Sequence, residues 1–185
     1  RENNKFKNLS MKKKLNIAVL TVSDTRNSKT DKSGELLKNK ILNSHHNLFE
    51  KKICKDNKIE IKKILKYWLK KRNIDVIIAT GGTGLTKKDI TPEVFKFFFE
   101  KDIPGFGETF RMLSYKKIKT ATIQSRACAG ISSGKYLFSL PGSPSACKDG
   151  WDEILKYQLD IRHKPCNFVE IMPRLQEHKF FRSKN

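Results

Sequence analysis

The sequence predicts a three-layer α/β fold, a mostly parallel sheet with helices on both faces. Three observations predict it. Unbroken apolar runs at 15–22 and 76–80 suit strands buried on both sides, as parallel sheets require. Segments with apolar residues at helical spacing alternate with the strands. Several strand runs end in small polar residues, where open α/β sheets hold their ligands.

Taken in order, Leu15 to Val22 reads as the first buried strand and ends in the polar loop Ser23-Asp24-Thr25. Ser33 is placed to cap a helix whose Leu36, Leu37, Ile41 and Leu42 share one face. Leu48 to Cys54 is a weaker strand. Lys58 to Lys71 is amphipathic, with Ile61, Ile64, Leu65, Trp68 and Leu69 on one stripe. Val76 to Thr80 is a second buried strand and runs straight into Gly81-Gly82-Thr83-Gly84. Thr91-Pro92-Glu93 reads as a helix start, with Thr91 as cap, Pro in the first turn and Glu against the positive end of the dipole. The aromatic run from Val94 to Phe99 is expected in the core and at a subunit contact. Pro104-Gly105 is expected to break the chain before a helix from Phe106 to Tyr115. Ala121 to Ala129 and Tyr136 to Leu140 are expected to form a hairpin around Ser132 to Lys135. Ser143 then caps, Pro144 enters the first turn, and a helix is expected to run to about Leu159.

The 185 residues fit a single domain over 15–168, preceded by a basic arm at 1–14 and followed by a tail at 169–185. The arm has no apolar core of a signal peptide, and no stretch reaches the ~18 apolar residues of a membrane span. A cytoplasmic location is expected. The formal net charge is +20, but 31 of the 39 basic residues are Lys and 8 are Arg. Recognition of bases and phosphates favours Arg, and no basic stretch is interleaved with aromatics. A nucleic-acid role is therefore the weaker reading of that charge, although the field would attract any anionic small ligand. The cysteines at 54, 128, 147 and 166 form no C-x-x-C pair, and His163 with Cys166 supplies only two ligands, so no metal knuckle is expected.

Three loops leave strand ends and should converge on one rim: Ser23-Asp24-Thr25, Thr80 to Gly84, and Pro141 to Ser145. Glycines at 81, 82 and 84 let backbone N–H groups approach an anion, with threonine hydroxyls beside them. The loop has neither a Walker A lysine nor G-x-G-x-x-G spacing. Taken alone, it is equally a tight turn. The helix start at Ser143 offers a second anion site. Asp89, close behind Gly84, is either a helix-proximal cap or a ligand for Mg²⁺ shared with phosphate oxygens.

Thr80-Gly81-Gly82-Thr83-Gly84 with Asp89-Ile90-Thr91-Pro92-Glu93 resembles the signature of the MoaB/MogA family of molybdenum cofactor biosynthesis and molybdopterin adenylyltransferase proteins. The resemblance extends through Pro104-Gly105-Phe106-Gly107-Glu108, Gln124-Ser125-Arg126-Ala127 and Leu140-Pro141-Gly142-Ser143-Pro144, and covers roughly 15–168. The segment Gln158 to Phe168 looks like the bacterial protein B branch. The resemblance implies molybdopterin as substrate, with ATP and Mg²⁺, and transfer of an adenylyl group that releases pyrophosphate. Mapped here, Thr80 to Gly84 would hold phosphates, Asp89 would bind Mg²⁺ or orient the reacting groups, and Asp56 would be the acidic partner. Ser23 and Asp24 would line the nucleotide rim. Ser125, Arg126 and Ser143 would face the pterin, with Thr91, Glu93, Glu108, Pro141, Gly142 and Pro144 completing the binding motifs. One departure stands out: Asp56 is flanked by Lys55 and Asn57, where adenylylating relatives are more acidic. An accessory pterin-binding protein without transfer activity is thus the alternative. The resemblance also implies a homotrimer or hexamer working alongside other enzymes of the cofactor pathway.

Overall fold

A computed structural model describes residues 13–176. The arm expected at 1–14 lies outside these residues except for its last two, as does the tail beyond 176. Six strands form one sheet in the order β2-β1-β3-β6-β5-β4. They are β1 (Asn16–Val22), β2 (Asn47–Cys54), β3 (Val76–Thr80), β4 (Lys101–Asp102), β5 (Cys128–Ser132) and β6 (Lys135–Leu140). β1, β2, β3 and β6 pair in parallel, and β5 alone runs against the rest.

The helices are α1 (Lys32–Asn43), α2 (Lys58–Leu69), α3 (Thr91–Phe98), α4 (Pro104–Ile118), α5 (Pro144–Gly150) and α6 (Phe168–Ile171). α5 continues through a π turn at Trp151–Leu155 to a last α turn ending at Gln158. The alternation of side chains along β1 and β3 divides the core in two. Ile17, Val19, Val76 and Ile78 pack with α1, α4 and α5 on one face. Ala18, Leu20, Ile77 and Ala79 pack with α2 and α3 on the other. The three layers expected from the sequence are present.

Several local expectations change. Asp31, not Ser33, caps α1: its carboxylate accepts from the Gly34 N–H, and Ser33 lies within the helix with its hydroxyl donating to Gly142 O at 2.7 Å. α3 has Ile90 at its cap without a side-chain bond, and Thr91 is the first helical residue. Pro104-Gly105 starts α4 rather than breaking the chain, which suits proline's fixed φ at a first helical turn. Residues 119–124 form a 3₁₀ turn, so the strand expected from Ala121 shrinks to Cys128–Ser132. Of the aromatic run, Val94 and Phe95 are buried and Phe97 faces outward. Packing also continues past 168: Val169 is 1% exposed, and Met172 and Leu175 rest on the first core. Among the described residues, no helix is long and apolar enough to cross a membrane.

Candidate functional site

The parallel strands bring their carboxyl ends to one rim, and backbone hydrogen bonds tie the loops together there. Ser23 N donates to Cys54 O at 2.9 Å, and Gly81 N to Leu140 O at 3.0 Å. β1 lies between β2 and β3, with α1 on one face and α2 on the other, so the chain reverses its direction of winding beside β1. Such a switch point opens a crevice for a ligand.

The glycine loop has the backbone expected of it. Gly81 and Gly82 have φ of 97° and 62°, the left-handed region that glycine enters without strain. Space is equally restrictive. A Cβ on Gly81 would lie 2.2 Å from Val22 O, and one on Gly82 would lie 2.2 Å from Thr91 Oγ1 and 2.7 Å from Asp56 Oδ2. A polar cavity of about 320 Å³ opens over this loop. Ser23, Thr25, Thr80, Gly81, Gly82, Thr83, Gly84, Asp89 and Gly142 line it, together with Thr21, Arg26 and Ser33, which the sequence reading did not place at the rim. One role changes: the Thr80 hydroxyl turns inward to Pro141 O at 2.9 Å and touches Cys147 Sγ, so it has no free proton for a phosphate.

A second cavity, about 720 Å³, lies between α3, α4 and the start of β5. Glu93, Glu108, Ser125 and Arg126 line it, with Lys96, Asp102 and Arg111. Arg126 joins the two. Its Nε donates to Thr83 O at 3.3 Å and its Nη2 to Asp89 O at 2.5 Å, both on the glycine loop, while Nη1 pairs with Glu93. The rim is therefore one site with two chambers. Ser143 and Pro144 line neither cavity, and the Ser143 hydroxyl is engaged in accepting from Ala146 N at 3.1 Å to cap α5.

Three carboxylates gather beside the glycine loop, and two of them, Asp89 and Asp56, are pushed in opposite directions. Asp89 accepts from the Thr86 hydroxyl at 2.6 Å and the Thr86 N–H at 3.0 Å. That hydroxyl bond, with the Gly84 N–H and the Arg126 charge, holds its carboxyl below the usual range despite partial burial. Asp56 is pushed the other way, first by burial and then by the charges of Asp89 and Asp24. Asp24 accepts from the Asp56 N–H at 3.1 Å and pairs with Lys88 at 3.4 Å. Buried polar atoms are nearly always bonded. Yet Asp56 Oδ1, Thr91 Oγ1 and Ser125 Oγ are buried here without a protein partner; Thr91 Oγ1 lies against Gly82, as does the other oxygen of Asp56, and Ser125 is at the larger cavity.

This donor set fits a divalent ion that brings phosphate with it. Mg²⁺ takes one or two carboxylates plus substrate oxygens, and Asp56 and Asp89 offer those. Among the described residues, no group of three or more His, Cys, Asp or Glu side chains could hold a metal unaided. Asn57 is not available as a ligand, since its side chain caps α2 by accepting from Ile59 N and Glu60 N. The cysteines are all free, and burial pushes Cys54 up to about 12 and Cys128 and Cys147 up to about 11. These three are packing residues rather than nucleophiles. Arg26, Arg111 and Thr86 escaped the sequence reading because each lies far from a glycine motif or inside a segment with its own helical or loop role.

Comparison with known proteins places the chain in a family. The model of a family described as a probable molybdopterin binding domain matches residues 18–161. Molybdenum cofactor biosynthesis protein B of Escherichia coli (strain K12) is 42% identical over 152 residues, 82% of this chain and 89% of that protein. A crystal structure of molybdenum cofactor biosynthesis protein B is similar with a TM-score of 0.80 at 34% identity, covering 89% of this chain and 98% of that one. The crystal structure of the tungsten cofactor synthesizing protein MoaB from Pyrococcus furiosus gives a TM-score of 0.74 at 35% identity, with the same coverage. With the glycine loop at the sheet's switch point and the likeness spanning nearly the whole of each relative, the chain belongs to the MoaB/MogA family of molybdenum cofactor biosynthesis proteins.

Proposed function

We propose that this chain binds molybdopterin and Mg-ATP together on the two-chambered rim and transfers AMP to the terminal phosphate of the pterin. The observation that carries this reading is the cluster of unpartnered buried oxygens on Asp56, Thr91 and Ser125 around a glycine loop held open by positive φ. The smaller chamber suits phosphates and the larger one a ring system. An oxygen of the pterin phosphate attacks the α-phosphorus of ATP, a new P–O–P bond forms, the α–β bond breaks and pyrophosphate leaves. The protein's part is positioning and charge neutralisation. The backbone N–H groups of Gly82 and Thr83 receive phosphate oxygens, those of Gly81 and Gly84 being engaged by Leu140 O and Asp89; Arg126 and Arg26 balance charge, and Asp89 stays ionised. Asp89 with Asp56 would hold Mg²⁺, which offsets the charge of the phosphates when bound.

The same reading assigns a homo-oligomer of three or six chains, supported by exposed Met112, Tyr115, Ile118 and Ile123 on α4 and the turn after it. A second reading, pterin binding without transfer, is favoured by one observation: Lys55 and Asn57 leave Asp56 without an acidic neighbour in its own loop.

The test is pyrophosphate release from Mg-ATP on adding molybdopterin, with wild type and Asp89→Ala compared. Transfer predicts release that falls at least about a hundredfold in the variant, with its melting curve showing that it remains folded. Pterin binding with no release in the wild type would sink the transfer reading and leave the accessory one.

A further inference from the structure

Arg111 lies half-buried on α4 at the wall of the larger chamber. Its Nη1 donates to Ser125 O at 3.5 Å and Ala127 O at 3.3 Å, the carbonyls on either side of Arg126. Arg126 then reaches Thr83 O and Asp89 O, which bracket the loop carrying Gly84, Leu85 and Thr86. Two guanidinium groups in series thus connect α4 to the glycine loop. The approach is tight by construction: a Cβ on Gly107, one turn before Arg111, would lie 2.6 Å from Ala127 O and 3.0 Å from Arg111 Nη1.

The loop itself has little else to hold it. Leu85, Thr86, Lys87 and Lys88 are all exposed. Its bonds are mostly local, Asp89 N to Thr86 O at 3.1 Å and the Thr86–Asp89 pair, with Thr91 N to Gly82 O closing its base at 3.0 Å and the exposed Lys88 pairing with Asp24 at 3.4 Å. A planar guanidinium can span two carbonyls at fixed angles, which an ammonium cannot do. β5, by contrast, is held by its ladder with β6 and does not need Arg111.

We propose that Arg111 is a positioning residue: acting through Arg126, it holds the Thr83–Asp89 loop in its ligand-receiving shape and couples the larger chamber to the smaller one. The role of that loop in holding phosphate rests on the function proposed above, whereas the mechanical link does not. An anion that draws Arg126 toward the larger chamber pulls on the same two loop carbonyls, so occupancy of one chamber changes affinity in the other.

The link is tested by amide hydrogen exchange on the full chain without ligand, reading Thr86, Asp89 and Thr91 against the central amides of β1, β3 and β6. Arg111→Gln should speed exchange at the loop amides about tenfold and leave the strands unchanged. Arg126→Gln should do the same, the double variant should be no faster than Arg126→Gln alone, and Arg111→Lys should be intermediate. Unchanged loop protection in Arg111→Gln overturns the proposal. So does acceleration of loop and strands together, which is global destabilisation, and so do effects that multiply in the double variant. Mg-ATP titration separates this from the functional reading. If the wild type binds, Arg111→Gln should weaken binding about tenfold, and equal affinity overturns the coupling. If the wild type does not bind, the functional reading fails and the exchange rates still decide the link.

Discussion

Asp56 shows how a single residue trades stability for a task. Its carboxyl is raised above the ordinary 3.8 by burial, then by the neighbouring charges of Asp89 and Asp24. A carboxylate raised on folding costs stability once it ionises. The cost is absent below the unfolded value and complete above the raised folded one. Asp56→Asn is therefore expected to raise the melting temperature near neutral pH by about 1–2 °C and to leave it unchanged at pH about 3. Pterin-dependent pyrophosphate release should fall in the same variant. A melting temperature that drops near neutral pH would show that the carboxylate is stabilised by something other than its visible neighbours. Asp89 has the opposite sign: its lowered pKa, led by the Thr86 hydroxyl, adds stability above the unfolded value and loses it as pH falls through the folded one.

Elements are fastened to one another by buried charge near the rim. Asp31 is 1% exposed, caps α1, accepts from Thr21 Oγ1 at 2.9 Å and pairs with Lys51 of β2 at 2.8 Å. Lys51 also reaches Glu35 at 2.7 Å, so one ammonium links β2 to the first turn of α1. Removing that ammonium leaves an ionised carboxylate buried with only neutral donors. Lys51→Met is expected to cost about 3 kcal/mol, read as a lower urea midpoint at unchanged slope. A loss of only a few tenths would mean that Thr21 and Gly34 satisfy Asp31 alone. On the other face, Trp68 of α2 donates from Nε1 to Glu50 of β2 at 2.7 Å, a second tie from helix to edge strand.

At the scale of the whole molecule, the charge of +20 dominates. Self-repulsion of this size opposes the compact state, and most of it lies on lysines that salt can screen. Raising sodium chloride from ~0.01 M to ~0.3 M is expected to raise the melting temperature by about 3 °C, measured by differential scanning calorimetry. A fall would mean that exposed ion pairs, such as Lys38 with Glu35, outweigh the net repulsion. The same field draws anions toward the rim, where the Gly81–Gly84 turn turns a general attraction into a place.

What was legible from the residues alone is what local physics controls. Continuous apolar runs mark β1 and β3 because both faces of a central parallel strand are covered. The stripe from Ile61 to Leu69 marks α2 because one helical face is buried. The glycine loop is visible because only glycine sits at φ of 97° against the Val22 carbonyl. Caps were harder, since Asp31 wins over Ser33 through Lys51 and Thr21, partners 20 and 10 residues away that no local pattern reports. β4 was missed because two exposed residues carry no pattern and pair only where β5 passes. The second chamber, the raised Asp56, the inward Thr80 hydroxyl and the Arg111–Arg126 chain arise from contacts between segments distant in sequence. Such contacts exist only once the sheet has set the loops side by side.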